Sequence, residues 1–134
     1  MWRPPSPVLA AVAMGGSAGA TSRYLLGLLF PDHVGGFPWT TFVINVTGCL
    51  AIGVLAGVLD GHRVTHPLVH PLLGPGFLGG YTTLSTYADQ TRALLVAGRW
   101  GVAAAYVIGT LAAALPAVWL GLRIVDRLRL AGRP

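Results

Sequence analysis

The chain has 134 residues, 54% of them hydrophobic and only 10% charged, with a mean hydropathy of +0.67. A water-soluble domain carries about 25% charged residues to keep its surface wetted. This composition excludes such a domain, a disordered tail and a coiled coil, and its single cysteine excludes a disulfide-stapled mini-protein. Nine Arg and four Asp, with no Lys or Glu, give a net charge of +5. The Arg residues punctuate apolar runs instead of forming a basic stripe on a wettable fold, so nucleic acid is not an expected partner.

The first apolar segment, residues 8–30, has the roughly 20-residue length an α-helix needs to cross a hydrocarbon core of about 30 Å. Arg3 and Ala11-Val12-Ala13 imitate a signal peptide with its cleavage site. The apolar run continues well past that point, so the segment is expected to be retained as a span. Arg23 lies near its C-terminal end, where a long side chain can snorkel or face a wet cavity.

A short connection, 31–38, leads to the second segment, 39–59, which contains no charge. Asn45 sits at its middle, accompanied by Thr40, Thr41 and Thr47. An amide in hydrocarbon must find partners: either it ties helices together or its NH₂ faces a permeating solute. Thr41 and Asn45 are four apart and share a helical face. Cys49, beside Gly48, reads as a small packing residue with no nearby cation to activate it.

The third segment, 67–98, is crowded with Pro67, Pro71, Gly74, Pro75, Gly76, Gly79 and Gly80. A break is expected near 79–83, where freed backbone groups are tolerable only if buried in protein or lining a polar cavity. Thr82, Thr83, Ser85 and Thr86 crowd hydroxyls just past that point. Gly74-Pro75-Gly76-Phe77-Leu78-Gly79 matches a dinucleotide-binding loop by accident, with no strand expected before it. His62, His66 and His70 have helical spacing, but Pro67 and Pro71 interrupt any helix that would align them on a metal.

The fourth segment, 100–122, is uncharged and places Tyr106 and Thr110 on one face. Gly15/Gly19, Gly53/Gly57 and Gly76/Gly80 repeat the small-xxx-small spacing that lets helix backbones approach closely. The expected architecture is all-α and integral to the membrane: one domain, 1–134, of four transmembrane helices with a broken third. So few spans make it hard for one chain to enclose a pore, which argues for an oligomer.

With four spans, Arg3, Arg63, Arg123, Arg127, Arg129 and Arg133 share one side and Arg23, Arg92 and Arg99 the other. The positive-inside rule then puts both termini in the cytoplasm.

No carboxylate lies inside a span, and Asp89 at the far end of the third is the only weak candidate for the proton relay that a small proton-coupled exporter needs. Donors and neutral hydroxyls with Arg23 near the entrance suit an anion, whose lost hydration they replace. No nucleophile–base pair points to an enzyme. A purely structural membrane subunit is the remaining competing class, distinguished by the absence of ion flux.

Gly15-Gly16-Ser17-Ala18-Gly19-Ala20-Thr21-Ser22-Arg23-Tyr24, then Thr41-Phe42-Val43-Ile44-Asn45-Val46-Thr47-Gly48, then Gly76-Phe77-Leu78-Gly79-Gly80-Tyr81-Thr82-Thr83-Leu84-Ser85-Thr86-Tyr87 resemble, in order, the three signatures of the CrcB/Fluc fluoride channel family. The resemblance covers nearly the whole chain. It implies a passive fluoride channel in the prokaryotic plasma membrane that relieves cytoplasmic fluoride toxicity, built as an antiparallel dimer with two pores.

Carried over position by position, the resemblance makes Asn45 a fluoride donor with Thr41 on the same path. Ser85, Thr86, Tyr106 and Thr110 supply a polar track, and Arg23 stands at the vestibule. The family's paired phenylalanines correspond to Leu84 and Tyr87; Tyr87 keeps a ring, whereas Leu84 has no quadrupole to offer an anion. The resemblance also implies a structural sodium ion at the dimer centre, held by backbone carbonyls at Gly79 and Thr82. The six-to-three Arg skew and Leu84 together suggest a subunit that keeps one orientation and pairs with an inverted paralogue in place of a second copy.

Overall fold

The computed structural model describes residues 5–60 and 66–131. Arg3, Arg63 and Arg133, three of the residues behind the expected orientation, and His62 of the histidine series lie outside them. Every regular element among the described residues is helical: α1 (Ser6–Leu29), α2 (Trp39–Asp60), α3 (69–81), α4 (Leu84–Val96) and α5 (Trp100–Ala131). α3 comprises Val69–Pro71, a π-helical stretch Leu72–Leu78, and Gly79–Tyr81.

α1 packs along α3 and α2 along α5, and glycine makes both seams. A Cβ on Gly15 or Gly19 would run into the backbone carbonyls of Leu72 and Phe77, and one on Gly80 into that of Gly16. On the other seam Gly53 faces the Val118 carbonyl, Gly121 the Leu50 carbonyl, and Gly57 the Val125 side chain, which a Cβ would approach at 3.0 Å. Without a hydrophobic drive between helices in lipid, such close backbone approach is what dispersion contact requires. The three glycine pairs of the sequence therefore fall where two helices meet.

The π-helical turn was not legible in the sequence. Pro75 stands inside it; its ring would clash with the carbonyl four residues earlier in a tight α-turn, and it has no N–H to donate there. A wider turn removes the clash. Between Val69 and Val96 the chain leaves helical geometry only at Thr82 (φ −75°, ψ 159°) and Thr83 (φ −149°, ψ 122°). Gly79 and Gly80 stay helical, because close packing against α1, and not flexibility, is the use made of Gly80.

α5 runs to Ala131, nine residues past the expected end at 122. Its last turns are held because Gly57 packs on Val125, Arg129 donates to the Gly57 carbonyl, and Arg123 lies 4.9 Å over the Trp119 ring, a cation–π contact.

Two helices, Trp39–Asp60 and Trp100–Ala131, are each long and apolar enough to cross a membrane. Large apolar side chains such as Leu28, Leu29, Ile108 and Leu115 project outward. The inward-facing cluster is small: Leu94, Ala103 and Tyr106, with Phe37, Phe42, Tyr87 and Val102 against it.

The α1–α3 seam is testable. Gly19→Val is expected to destabilise the protein by about 1–3 kcal/mol, the usual cost of overpacking, whereas Gly27→Ala, which meets open space, should be near neutral. Thermal unfolding of both variants in detergent checks this; equal midpoints would contradict the close packing.

Candidate functional site

The break between α3 and α4 is closed by one side chain from α2. Asn45 Nδ2 donates to the Thr83 carbonyl at 3.0 Å, and the Thr83 N–H donates to Asn45 Oδ1 at 2.9 Å. A primary amide has both a donor and an acceptor at the spacing of a peptide group, so it replaces two lost backbone partners at once. The helix-tying use of Asn45 is thus realised, and one of its two N–H donors is left over from this exchange.

The rest of the break is satisfied locally. Thr83 Oγ1 accepts from the Thr86 N–H at 3.1 Å, an N-cap for α4. The Thr82 N–H and hydroxyl both donate to the Leu78 carbonyl, at 3.0 and 2.9 Å. Arg23 Nε donates to the Gly80 carbonyl at 3.1 Å, placing a cation at the C-terminal, electronegative end of α3. Because the Thr83 N–H goes to Asn45, it does not serve the Gly79 carbonyl, its partner in an uninterrupted helix.

Two cavities flank this junction and share Thr83. The larger, about 470 Å³, is lined by Arg23, Asp32, Thr40, Thr41, Thr86 and Gln90 among others. The smaller, about 240 Å³, is lined by Asn45, Cys49, Thr82, Leu84, Tyr87 and Thr110 among others. Thr110 is only 6% exposed, and its Oγ1 is the buried side-chain oxygen without a partner among the described residues. An unpaired buried hydroxyl costs about 1–3 kcal/mol.

Behind the cavities runs a polar chain. The Tyr87 hydroxyl donates to the Val107 carbonyl at 3.2 Å, and its ring lies 5.0 Å from that of Tyr106. Tyr106, fully buried, donates to Gln90 Oε1 at 2.9 Å. Gln90 Nε2 donates to Asp32 Oδ2 at 3.4 Å, and Asp32 Oδ1 accepts the Thr40 N–H at 2.9 Å.

The structure therefore gathers Arg23, Thr41 and Thr86 around one cavity and Asn45, Leu84, Tyr87 and Thr110 around the other. Ser85 and Leu84 are exposed, Leu84 by 78%. Tyr106 lies behind them in the small core. Gly79 and Thr82, the expected carbonyl pair, line a further cavity with His70 and Pro75.

Gln90, Asp32 and the capping role of Thr83 were missed in the sequence. Thr83, Thr86, Tyr87 and Gln90 recur at the i, i+3, i+4, i+7 positions of one helical face, a signal that would have found Gln90. Nothing local marks the link from Asp32 to Gln90, which is 58 residues away.

The family model described as CrcB-like protein, Camphor Resistance (CrcB), matches residues 10–122. Fluoride-specific ion channel FluC 1 of Streptomyces coelicolor is 50% identical over 119 residues, covering 89% of this chain and 77% of that protein. Two proteins of Streptomyces avermitilis are similar as well. Fluoride-specific ion channel FluC 2 is 47% identical over 110 residues, covering 82% of this chain and 70% of the relative. FluC 3 is 46% identical over 131 residues, covering 94% and 64%.

The staple predicts asymmetric costs at one position. Asn45→Asp keeps the acceptor for the Thr83 N–H but loses the donor to its carbonyl, and Asn45→Leu loses both. Relative to wild type, about 1–3 kcal/mol is expected per buried group left unsatisfied. Hydrogen exchange at residues 82–86 should accelerate most in Asn45→Leu; unchanged exchange in both variants would refute the staple.

Proposed function

The chain belongs to the CrcB-like family, and from that membership we propose that it is a fluoride-selective passive ion channel of the prokaryotic plasma membrane that exports fluoride from the cytoplasm. It is not an enzyme. The observation that carries the reading is that Asn45 and Thr110 both line the smaller cavity with hydrogen-bonding capacity the protein leaves unused: one amide N–H of Asn45 beyond its bond to Thr83, and the Thr110 hydroxyl, buried without a partner among the described residues. Fluoride is a small, strongly hydrated acceptor, and fixed donors in a dry wall replace its water shell. Hydrogen fluoride enters neutral and dissociates inside. An interior-negative potential then drives the trapped anion outward by about 2.3 kcal/mol per 100 mV, with no coupling machinery.

In this reading Arg23 raises the local anion concentration in the larger cavity, which leads past Thr41 and Thr86 to the Thr83 junction. From there Asn45, Tyr87 and Thr110 line the way on, with Ser85 beside the junction and Tyr106 anchoring the wall behind. Four spans cross the bilayer: α1, α2, the broken α3–α4 unit, and α5. The exposure of Leu84 and Gly79 supports an antiparallel dimer in which a second subunit covers the break.

A sodium ion at the centre of that dimer fits the donor set. Gly79 and Thr82 would contribute backbone carbonyls, hard oxygen ligands that such an ion prefers, and Asn45 has diverted the helical partner of the Gly79 carbonyl. Bound there, the ion supplies positive charge that joins two half-helix C-termini.

A heterodimeric variant of the reading rests on Leu84, which places no ring edge toward an anion, and on the Arg skew. The separately numbered FluC 2 and FluC 3 of one Streptomyces make pairing between paralogues a natural arrangement.

Liposomes holding the purified chain are expected to release fluoride, followed by electrode, and to retain chloride. Asn45→Ala should slow fluoride release at least tenfold, the size expected when an anion loses a donor worth more than about 1.4 kcal/mol. Equal fluoride and chloride rates would overturn the assignment. Leu84→Phe should raise the rate if the leucine weakens one pore; an unchanged rate would remove one of the two grounds for the heterodimeric variant and leave it on the Arg skew alone.

A further inference from the structure

Asp32 is a carboxylate that faces an anion vestibule. It is half-buried in the connection between α1 and α2 and lines the larger cavity together with Arg23 and Gln90. No ion pair joins it to Arg23 among the described residues; the Nε of Arg23 is turned instead to the Gly80 carbonyl. The contacts of Asp32 are the Thr40 N–H at 2.9 Å and the Gln90 amide at 3.4 Å.

The direction of these bonds is forced. A carboxylate only accepts, so Gln90 turns its NH₂ toward Asp32 and its carbonyl toward Tyr106, whose single proton then goes to Gln90 at 2.9 Å. The Gln90 amide is the neutral side-chain donor that α4 offers at the vestibule wall beside the Thr86 hydroxyl. Asp32 therefore occupies one of the two N–H donors of an amide that an entering anion would use, and it does so as an anion itself.

Resting on the fluoride-channel reading, we propose that Asp32 is an affinity-setting residue: a tethered internal anion that occupies the Gln90 amide and offsets the charge of Arg23, keeping fluoride from lodging in the vestibule. Conduction requires binding favourable enough for entry and weak enough for release. With Asp32 in place, a fluoride attracted by Arg23 meets a competitor for the amide and passes inward to the Asn45 junction. Without it, the cation and a freed amide make a trap.

The test is planar-bilayer current against fluoride concentration for the full chain. Asp32→Asn keeps an oxygen for the Thr40 N–H, so the start of α2 remains capped, and replaces the charged oxygen that faces Gln90 with an NH₂ that cannot accept. The half-saturating fluoride concentration is expected to fall about three- to tenfold, with a maximal current no higher than wild type. Asp89→Asn, an exposed carboxylate paired with Arg92, controls for general surface charge and should leave the curve in place.

In a Gln90→Leu background the shift caused by Asp32→Asn should shrink by at least half. If Gln90→Leu does not fold, Gln90→Met serves the same purpose. A half-saturating concentration within twofold of wild type in Asp32→Asn, or a shift undiminished when the amide is gone, overturns the proposal. A wild-type chain that passes no fluoride would instead overturn the reading on which it rests, so the two failures are distinguishable.

Discussion

The polar groups where α3 gives way to α4 are organised around one constraint: a backbone interrupted between apolar helices must have its freed N–H and C=O groups paired. Asn45 meets it at Thr83 with a reciprocal pair of hydrogen bonds, Thr83 caps the helix that follows, and Arg23 takes the Gly80 carbonyl. These residues make the break rigid. A rigid break can hold leftover donors in fixed positions, and fixed donors bind an anion without the cost of reorganising at each passage. The structural use of Asn45 and the anion-binding use proposed for it are therefore two aspects of one amide, which has more hydrogen-bonding capacity than the backbone consumes.

That rigidity depends on the glycine seams. Backbones of α1 and α3 touch at Gly15, Gly19, Gly76 and Gly80, and those of α2 and α5 at Gly53 and Gly121. Asn45 reaches Thr83 because α2 also comes close: Gly48 leaves no room beyond the Thr82 methyl. Two tight helix pairs with a polar junction between them account for a fold whose inward-facing apolar cluster is small and whose remaining apolar surface points outward.

The electrostatics divide along the same line. The vestibule carries a cation and an anion, Arg23 and Asp32, whereas the smaller cavity beyond Thr83 is lined by uncharged groups alone. In the proposed channel, charge at the mouth would act on concentration, and neutral donors further in would act on recognition. Such a division suits a passive pore, in which a full charge along the narrow path would bind a counter-ion too tightly to release it.

Composition and segment length in the sequence determined the helical class. Glycine spacing determined where backbones would touch, and the polar positions Asn45, Thr41 and Thr110 within apolar runs marked the candidate site. Those features are local or periodic, and the physical chemistry behind them acts on each residue whatever its neighbours in space. Only the tertiary structure decided that the break falls at Thr82–Thr83 and not at Gly79-Gly80, that Pro75 is absorbed in a π-helical turn, and that Asp32, Gln90 and Tyr106 form one chain. The reason is the same in each case: these outcomes depend on which partner a polar group or a bare Cα finds on another helix, and that distance is set by packing, which no stretch of sequence contains.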